Sequence, residues 1–422
     1  MRLRQRLLSP SQSPSRSPSQ FPSQSPSQSP SQSPGRAPET GGGSRASYDG
    51  TADRRIITRC LDLVTPFEDL ISHLYEALFE RHPYLRGLFP ESMEFQRAHL
   101  ARAFWYLIEH LGRTDEIAAT FTQLGRDHRK LGVRPAHYEA FEAALCEALR
   151  HQAGQQWSEA LEQAWLRMLR FAVAAMVQGA EAALHEPPCW EATVTAHEPR
   201  TPDVVVLRVR PHEPYPYRAG QYAAVESPRL PHAWRPYYLA SAPQPDGELE
   251  FHVRLSGVGG VSEALVRHTQ CGDVLRLGPA RGVLTLDGGP VDQVLLVASG
   301  TGWAPMKALL QELEGRRAPG ARVRLFLGAR TPQELYDTAY LTDLERRRPW
   351  LSTVPVIGEG AGADAYGQIA EAVVRHGALS TCLALLGGPP AMVHAVAADL
   401  ADAGVPADRI RHDPPPALPR SG

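Results

Sequence analysis

Cysteine is scarce and scattered in this chain. Cys60, Cys146, Cys189, Cys271 and Cys382 are odd in number, widely spaced and free of any CxxC. That distribution excludes a disulfide framework and gives no support to a zinc or iron–sulfur site. Long apolar runs are also missing: none approaches the ~20 residues that span a bilayer. The opening MRLRQRLLSP is positively charged but has only a two-leucine apolar stretch, so it lacks a signal-peptide core. Nor is there an excess of one charge. With 44 basic and 46 acidic residues the formal net charge is −2, which argues against a nucleic-acid or anionic-membrane footprint over the whole molecule. The expectation is a soluble, cytoplasmic protein of two or three domains, because 422 residues exceed one core at roughly 150 residues per domain. The sequence leaves the oligomeric state open and is compatible with a monomer.

Residues 1–50 are dominated by a Ser–Pro–Gln repeat with almost no apolar surface to offset an ordering entropy of about 1–2 kcal/mol per residue, and are expected to be a disordered tail. From 51 to 186 the period is helical. TPFEDLISHLYEALFERH places Phe67, Leu70, Ile71, Leu74, Leu78 and Phe79 at helical spacing, with Thr65 and Pro66 suited to N-cap and first-turn positions. FQRAHLARAFWYLIEHL, FEAALCEALRH and LEQAWLRMLRFAVAAMVQGAEAAL add further helices. At Glu186–Pro188 the period changes. Short β-rich runs broken by Pro, Gly and Asp fill 187–288, as in a small antiparallel barrel. From 289 to 416, strand–loop–helix units predict a parallel α/β domain.

Chemistry-bearing motifs concentrate in the last two regions. In VASGTGWAPM, Gly300 and Gly302 follow a strand and Pro305 opens a helix. Glycines there let backbone approach a pyrophosphate, and the helix start supplies N–H donors. RPYYLAS sets an arginine and a tyrosine on a barrel strand, GGVSEAL places Gly259, Gly260 and Ser262 at a helix start as a second anion site, and LLGGPPAM repeats the strand-end loop. Two phosphate cradles with an arginine–aromatic pair between them suit a flavin held against a nicotinamide.

Residues 188–413 resemble the ferredoxin–NADP reductase superfamily: RPYY is similar to its flavin motif, RAGQY to the strand before it, GTGWAP to its nicotinamide motif and GGPPAM to its last motif. The resemblance implies that Arg235 and Pro236 belong to the FAD site, with Arg235 pairing the pyrophosphate. It also implies that Tyr237 packs on the isoalloxazine, that Tyr222 and Tyr238 line the flavin pocket, and that Gly260–Ser262 hold phosphate. Gly300, Thr301, Gly302, Trp303, Ala304 and Pro305 would receive NAD(P)H, and Gly388 and Pro389 would shape the nicotinamide cleft. Tyr238 stands where that family has serine, Gly387 where it has cysteine, and Asp413 is not followed by a terminal aromatic.

The stretch LGRDHRKLGVRPAHYEAF, with His128 and Tyr138 ten positions apart, is similar to the proximal segment of flavohaemoglobins, and HLYEALFERHPYLRGLFP with FQRAHL resembles their distal region. This implies an all-α globin with haem b ligated by His128, and Tyr75 and Gln96 facing the gas. Leu100 would wall the pocket, Phe89 clamp the haem and Tyr138 brace the proximal side. The family's last-helix glutamate falls at Ala180, one residue from Glu181, and Asp127 replaces a lysine. The expected whole is a disordered tail, a globin, an FAD barrel and an NAD(P)H domain. The activity implied is a nitric oxide dioxygenase acting on NO and O2. Three rival functions remain at this stage: a gas sensor with a built-in reductase, a flavin reductase for an external acceptor, and a haem-free interaction module. The sequence does not separate NADH from NADPH, and it leaves Arg330 in GART open between a contact to a 2′-phosphate and an ordinary surface arginine.

Overall fold

The computed structural model describes residues 48–286, 291–358, 363–375 and 382–414. Of the expected tail, residues 1–47 lie outside the described residues.

Six α-helices open the described chain: α1 (Thr51–Arg59), α2 (Phe67–Arg81), α3 (Glu94–His110), α4 (Thr114–His128), α5 (Pro135–Ala153) and α6 (Glu159–Ala182). Helix α2 forms because its apolar residues fall three and four apart. Phe67, Leu70, Ile71, Leu74, Tyr75 and Leu78 are all buried in one core with Phe104 and Trp165. Each such side chain contributes about 1.5–3 kcal/mol on burial. The start of α2 differs from expectation: Thr65 gives its hydroxyl to the Leu61 carbonyl at 3.0 Å, so it does not cap, and Pro66 occupies the cap position instead. Two helices had no sequence signal of their own. Helix α4 has an apolar side of only Ile117 and Phe121 plus a glycine, so its segment reads as polar.

That glycine fixes where α4 lies. A Cβ on Gly125 would stand 1.9 Å from the Met176 carbonyl oxygen on α6, and one on Gly179 of α6 would stand 1.9 Å from the Thr122 oxygen on α4. The helices therefore cross backbone to backbone, which a residue larger than glycine forbids. This crossing places the end of α4, where His128 sits.

Six strands follow: β1 (Trp190–Thr201), β2 (Val204–Pro211), β3 (Tyr222–Glu226), β4 (Trp234–Tyr238), β5 (Leu249–Arg254) and β6 (Val274–Leu277), ordered β4-β3-β6-β1-β2-β5 with every pairing antiparallel. An additional bridge, Leu239 to Phe251, joins the two ends of that order and closes the barrel around Val194, Leu207, Val225, Phe251 and Leu277. Before β6 lies a short turn, α7 (Val261–Glu263), continued by a π-helical turn through His268.

The last region holds β7 (Val291–Ser299), α8 (Trp303–Arg316), β8 (Arg317–Ala329), α9 (Thr338–Arg347), β9 (Leu351–Ile357), α10 (Ala363–Arg375), β10 (Leu383–Gly387), α11 (Pro390–Asp402) and β11 (Ile410–Arg411). Its sheet is wholly parallel in the order β11-β10-β7-β8-β9. The order reverses between β7 and β10, and in open parallel sheets such a switch opens a crevice at the carboxyl ends of the strands. The expected sequence of an all-α domain, an antiparallel barrel and a parallel α/β domain is the observed one.

Candidate functional site

His128 is the last residue of α4, and its Nδ1 lies 2.9 Å from the Leu124 carbonyl one turn earlier. With Nδ1 donating there, Nε2 keeps its lone pair, as an axial imidazole requires. Burial is the largest influence on the ring and lowers its pKa, so the neutral form is favoured. Tyr75, on α2, is buried, makes no hydrogen bond among the described residues, and is kept protonated because burial raises its pKa. Its ring packs on Phe79 at 5.7 Å and meets Phe89 edge-on at 5.6 Å. On α3, Gln96 Oε1 is buried without a partner. Such an atom costs about 1–3 kcal/mol, and an unpartnered buried amide oxygen on α3, like the unpartnered buried phenol of α2, suits side chains held for a polarisable ligand. Leu100 packs against the same core one turn on. His99 beside it accepts or shares a hydrogen with Arg102 at 3.1 Å. Its pKa is lowered to about 4 by burial and by the charges of Arg102, His128 and Arg235, which places α3 within electrostatic reach of His128. These residues fit a haem.

The proximal network implied by resemblance is not assembled. Tyr138 is half-buried and makes no side-chain hydrogen bond among the described residues, while Glu181 is exposed in the last turn of α6. A one-residue offset turns a side chain about 100° around a helix, which carries Glu181 to the solvent side. Asp127, beside the histidine, instead reaches across to the barrel and accepts from Arg281 at 3.1 Å.

In the barrel, strand register sets Tyr222 opposite Tyr238, with the rings edge to face at 5.8 Å. The Tyr238 hydroxyl, in place of a serine, donates to Asp413 Oδ2 at 3.0 Å. Burial pushes the pKa of Tyr237 up to about 12. The Arg235 guanidinium stacks 4.0 Å over the Phe95 ring of α3 and, among the described residues, donates only to the Trp234 carbonyl, at 2.9 Å. Stacking leaves in-plane donors free, so the group retains its capacity for a phosphate. Ser262 does not keep that capacity in its side chain. Its Oγ accepts from Ser256 N at 3.1 Å and bonds Ser256 Oγ at 3.0 Å, so Gly260, Val261 and Ser262 have only backbone N–H groups to offer an anion.

A cleft of about 590 Å³ opens at the switch point, lined from the sheet side by Gly300, Thr301, Gly302, Arg330, Gly388 and Pro389, and from the barrel by Pro236, Tyr237 and Tyr238. Its glycines are structurally required. Gly300 has φ 57°, in the left-handed region, and a Cβ on Gly302 would stand 2.2 Å from the Gly387 oxygen. This is bare backbone of the kind that receives a pyrophosphate. Trp303, Ala304 and Pro305 are buried behind the turn rather than lining the cleft, and the Trp303 indole donates to Asp337 at 2.9 Å. Several lining residues escaped the sequence analysis, among them His252, Arg254 and Glu334. Arg254, at the end of β5, has a buried Nε without a partner and a guanidinium carbon 3.9 Å from the Cβ position of Gly300. Its only sequence signal is an arginine ending the run LEFHVRLS.

Family models match three stretches: Globin over residues 72–176, Oxidoreductase FAD-binding domain over 191–285, and Oxidoreductase NAD-binding domain over 296–398. The ferredoxin–NAD(P)+ reductase component of the naphthalene 1,2-dioxygenase system of Pseudomonas putida is 33% identical over 229 residues, covering 52% of this chain and 67% of that protein. The corresponding naphthalene 1,2-dioxygenase/salicylate 5-hydroxylase component of a Ralstonia species is 31% identical, covering 55% and 71%. The reductase component of propane 2-monooxygenase of Mycolicibacterium goodii is 31% identical, covering 52% and 66%. The chain thus spans about two thirds of the length of these relatives. The crystal structure of a flavohemoglobin from Malassezia yamatoensis superposes with a TM-score of 0.67 at 16% identity, covering 85% of this chain and 97% of that one, which is a likeness of fold across all three domains. Haem, FAD and a nicotinamide dinucleotide are the cofactors of these domains, and the residues above fit each of them. The chain belongs to the family of FAD- and NAD-binding oxidoreductases, and carries a globin ahead of that module in a flavohaemoglobin-type fusion.

Proposed function

We propose that this chain is an NAD(P)H-driven nitric oxide dioxygenase. When bound, FAD would supply two-electron chemistry toward NAD(P)H and one-electron chemistry toward an iron, and haem would supply that iron for a diatomic gas. One NO, one O2 and one electron balance as one nitrate. In this scheme His128 would hold the haem iron with its Nε2 lone pair, and the Tyr75 phenol would donate to a polarised gas with Gln96 as a second polar group. Tyr237 and Tyr222 would frame the flavin, Arg235 would hold its pyrophosphate, and Gly300–Gly302, Gly388 and Arg254 would hold the dinucleotide. The observation that carries the proposal is buried Tyr75, whose hydroxyl has no hydrogen-bond partner among the described residues. A donor held in a dry pocket stabilises developing negative charge by roughly 1.5–3 kcal/mol.

Tyr75→Phe should therefore speed O2 release by about one to two orders of magnitude, at 1.4 kcal/mol per tenfold, and depress NO consumption while NADH–ferricyanide activity stays at the wild-type level. Stopped-flow O2 dissociation with an NO electrode measures both. Unchanged dissociation would contradict the proposal. A second reading, a reductase for an external acceptor, is favoured by the curated relatives, which are reductase components of oxygenase systems. His128→Ala separates the two. It abolishes NO consumption and haem retention under the first, and leaves delivery to the acceptor intact under the second.

A further inference from the structure

The barrel and the nucleotide domain are joined by buried charges that belong to none of the sequence motifs. Glu250 on β5 is 8% exposed. Its Oε1 accepts from Lys307 Nζ of α8 at 2.7 Å and from His252 Nε2 at 3.0 Å, and its Oε2 accepts from Arg208 Nε of β2 at 3.2 Å. His252, 2% exposed and lining the cleft, receives the Tyr336 hydroxyl at Nδ1, 2.9 Å away. Next to Tyr336, buried Asp337 accepts from the Trp303 indole at 2.9 Å and pairs with Arg200 of β1 at 3.3 Å and with Lys307 at 3.9 Å. The first two turns of α8, the helix that follows the nicotinamide turn, are thus tied to the barrel twice: through Lys307–Glu250, and through Trp303–Asp337–Arg200. Burial works against the Glu250 carboxylate, but His252 and Lys307 outweigh it and hold its pKa down at about 2.

A buried ion pair contributes little stability over an apolar pair of the same volume, and its best-attested use is to fix geometry. Here the geometry is that of two domains meeting at a cleft. We propose that Glu250, Lys307 and Asp337 are positioning residues that set the angle between α8 and the barrel, and through it the register of nicotinamide against flavin. This rests on the assignment of the cleft to those two cofactors. None of the three touches the reacting atoms. Their effect is on the distance across which the hydride moves, where an error of about 1 Å costs on the order of a hundredfold in rate.

The test uses the full-length holoprotein and anaerobic single-turnover reduction of its flavin by NADH and by 4-deuterated NADH. Glu250→Gln with Lys307→Met removes both charges together, so that neither is left buried and unpaired. The reduction rate per bound FAD at saturating NADH should fall about ten- to a hundredfold, with half-saturation changed less than about twofold and a larger deuterium isotope effect. Lys307→Arg, which keeps the charge, should recover most of the rate. Trp303→Phe, which deletes only the indole donor to Asp337, should lower the rate in the same sense but less, and serves if the double variant folds poorly. A rate and isotope effect per FAD equal to wild type in the double variant, or in Trp303→Phe if only that one folds, would overturn the inference, even if the melting temperature drops. Failure of NADH and NADPH to reduce wild-type flavin at all would instead remove the cleft assignment beneath it.

Discussion

At Arg330 the sequence left two roles open, a 2′-phosphate receptor and a surface side chain. In the structure its Nε donates to Glu334 Oε1 at 2.9 Å, and its backbone N–H donates to Oε2 at 3.0 Å, with both residues lining the cleft at the end of β8. A carboxylate already on the guanidinium competes with a phosphate, whereas an acidic residue at that strand end suits a ribose 2′-hydroxyl. Steady-state kinetics should therefore show preference for NADH, and Glu334→Ala should lower the KM for NADPH by about tenfold, the worth of one charge-assisted contact at roughly 1.5 kcal/mol. An unchanged KM would place the ribose elsewhere. Ser262 and Thr65 teach the same lesson at shorter range. Both were assigned by spacing, and both hydroxyls are taken by near neighbours, Ser256 and Leu61. Short polar side chains find local partners that a motif does not encode.

Among the elements, those with strong periodicity were legible. The stripe of α2 and the strand–glycine–helix unit of β7 and α8 followed from apolar spacing and from one GxG turn. Helix α4 was not, because its packing face is partly glycine and its partner lies about fifty residues on in α6. That crossing yields a prediction. Gly125→Ala or Gly179→Ala drives a methyl into a carbonyl of the facing helix and should cost about 1–3 kcal/mol of stability by overpacking. Since α4 ends in His128, the change should also loosen haem, read as a lowered melting temperature and faster haem transfer to an acceptor apoprotein. Normal haem retention in a destabilised variant would show that the crossing does not set the ligand. The buried Glu250–Lys307 chain was invisible for a related reason: its members come from β2, β5, α8 and the loop before α9, and only the folded sheet order brings them together.

In the molecule as a whole, the globin and the barrel meet through named side chains. Asp127 pairs with Arg281, Phe95 carries Arg235, Lys130 approaches the Trp234 ring at 5.1 Å, and Arg276 donates to the Lys130 carbonyl at 3.3 Å. Arg281 also lies at the flavin strand, where its carbonyl accepts from the Tyr222 backbone at 2.8 Å. Arg281→Glu sets two like charges together at this seam. It should slow haem reduction by about tenfold or more, leave flavin reduction by NADH near wild type, and be largely restored by adding Asp127→Arg, as expected where like-charge contact costs several kcal/mol and opposite charges fix register. Anaerobic stopped-flow spectra resolve the flavin and haem phases, and equal slowing of both would show that the seam serves folding alone. If the chain is a nitric oxide dioxygenase, nicotinamide electrons end in nitrate. Following NO, O2, NADH and nitrate together during turnover of the purified holoprotein checks this without intermediaries. Two NO and two O2 should be consumed for each NADH oxidised, with two nitrates formed. NADH oxidation that proceeds at the same rate without NO and yields no nitrate would contradict it.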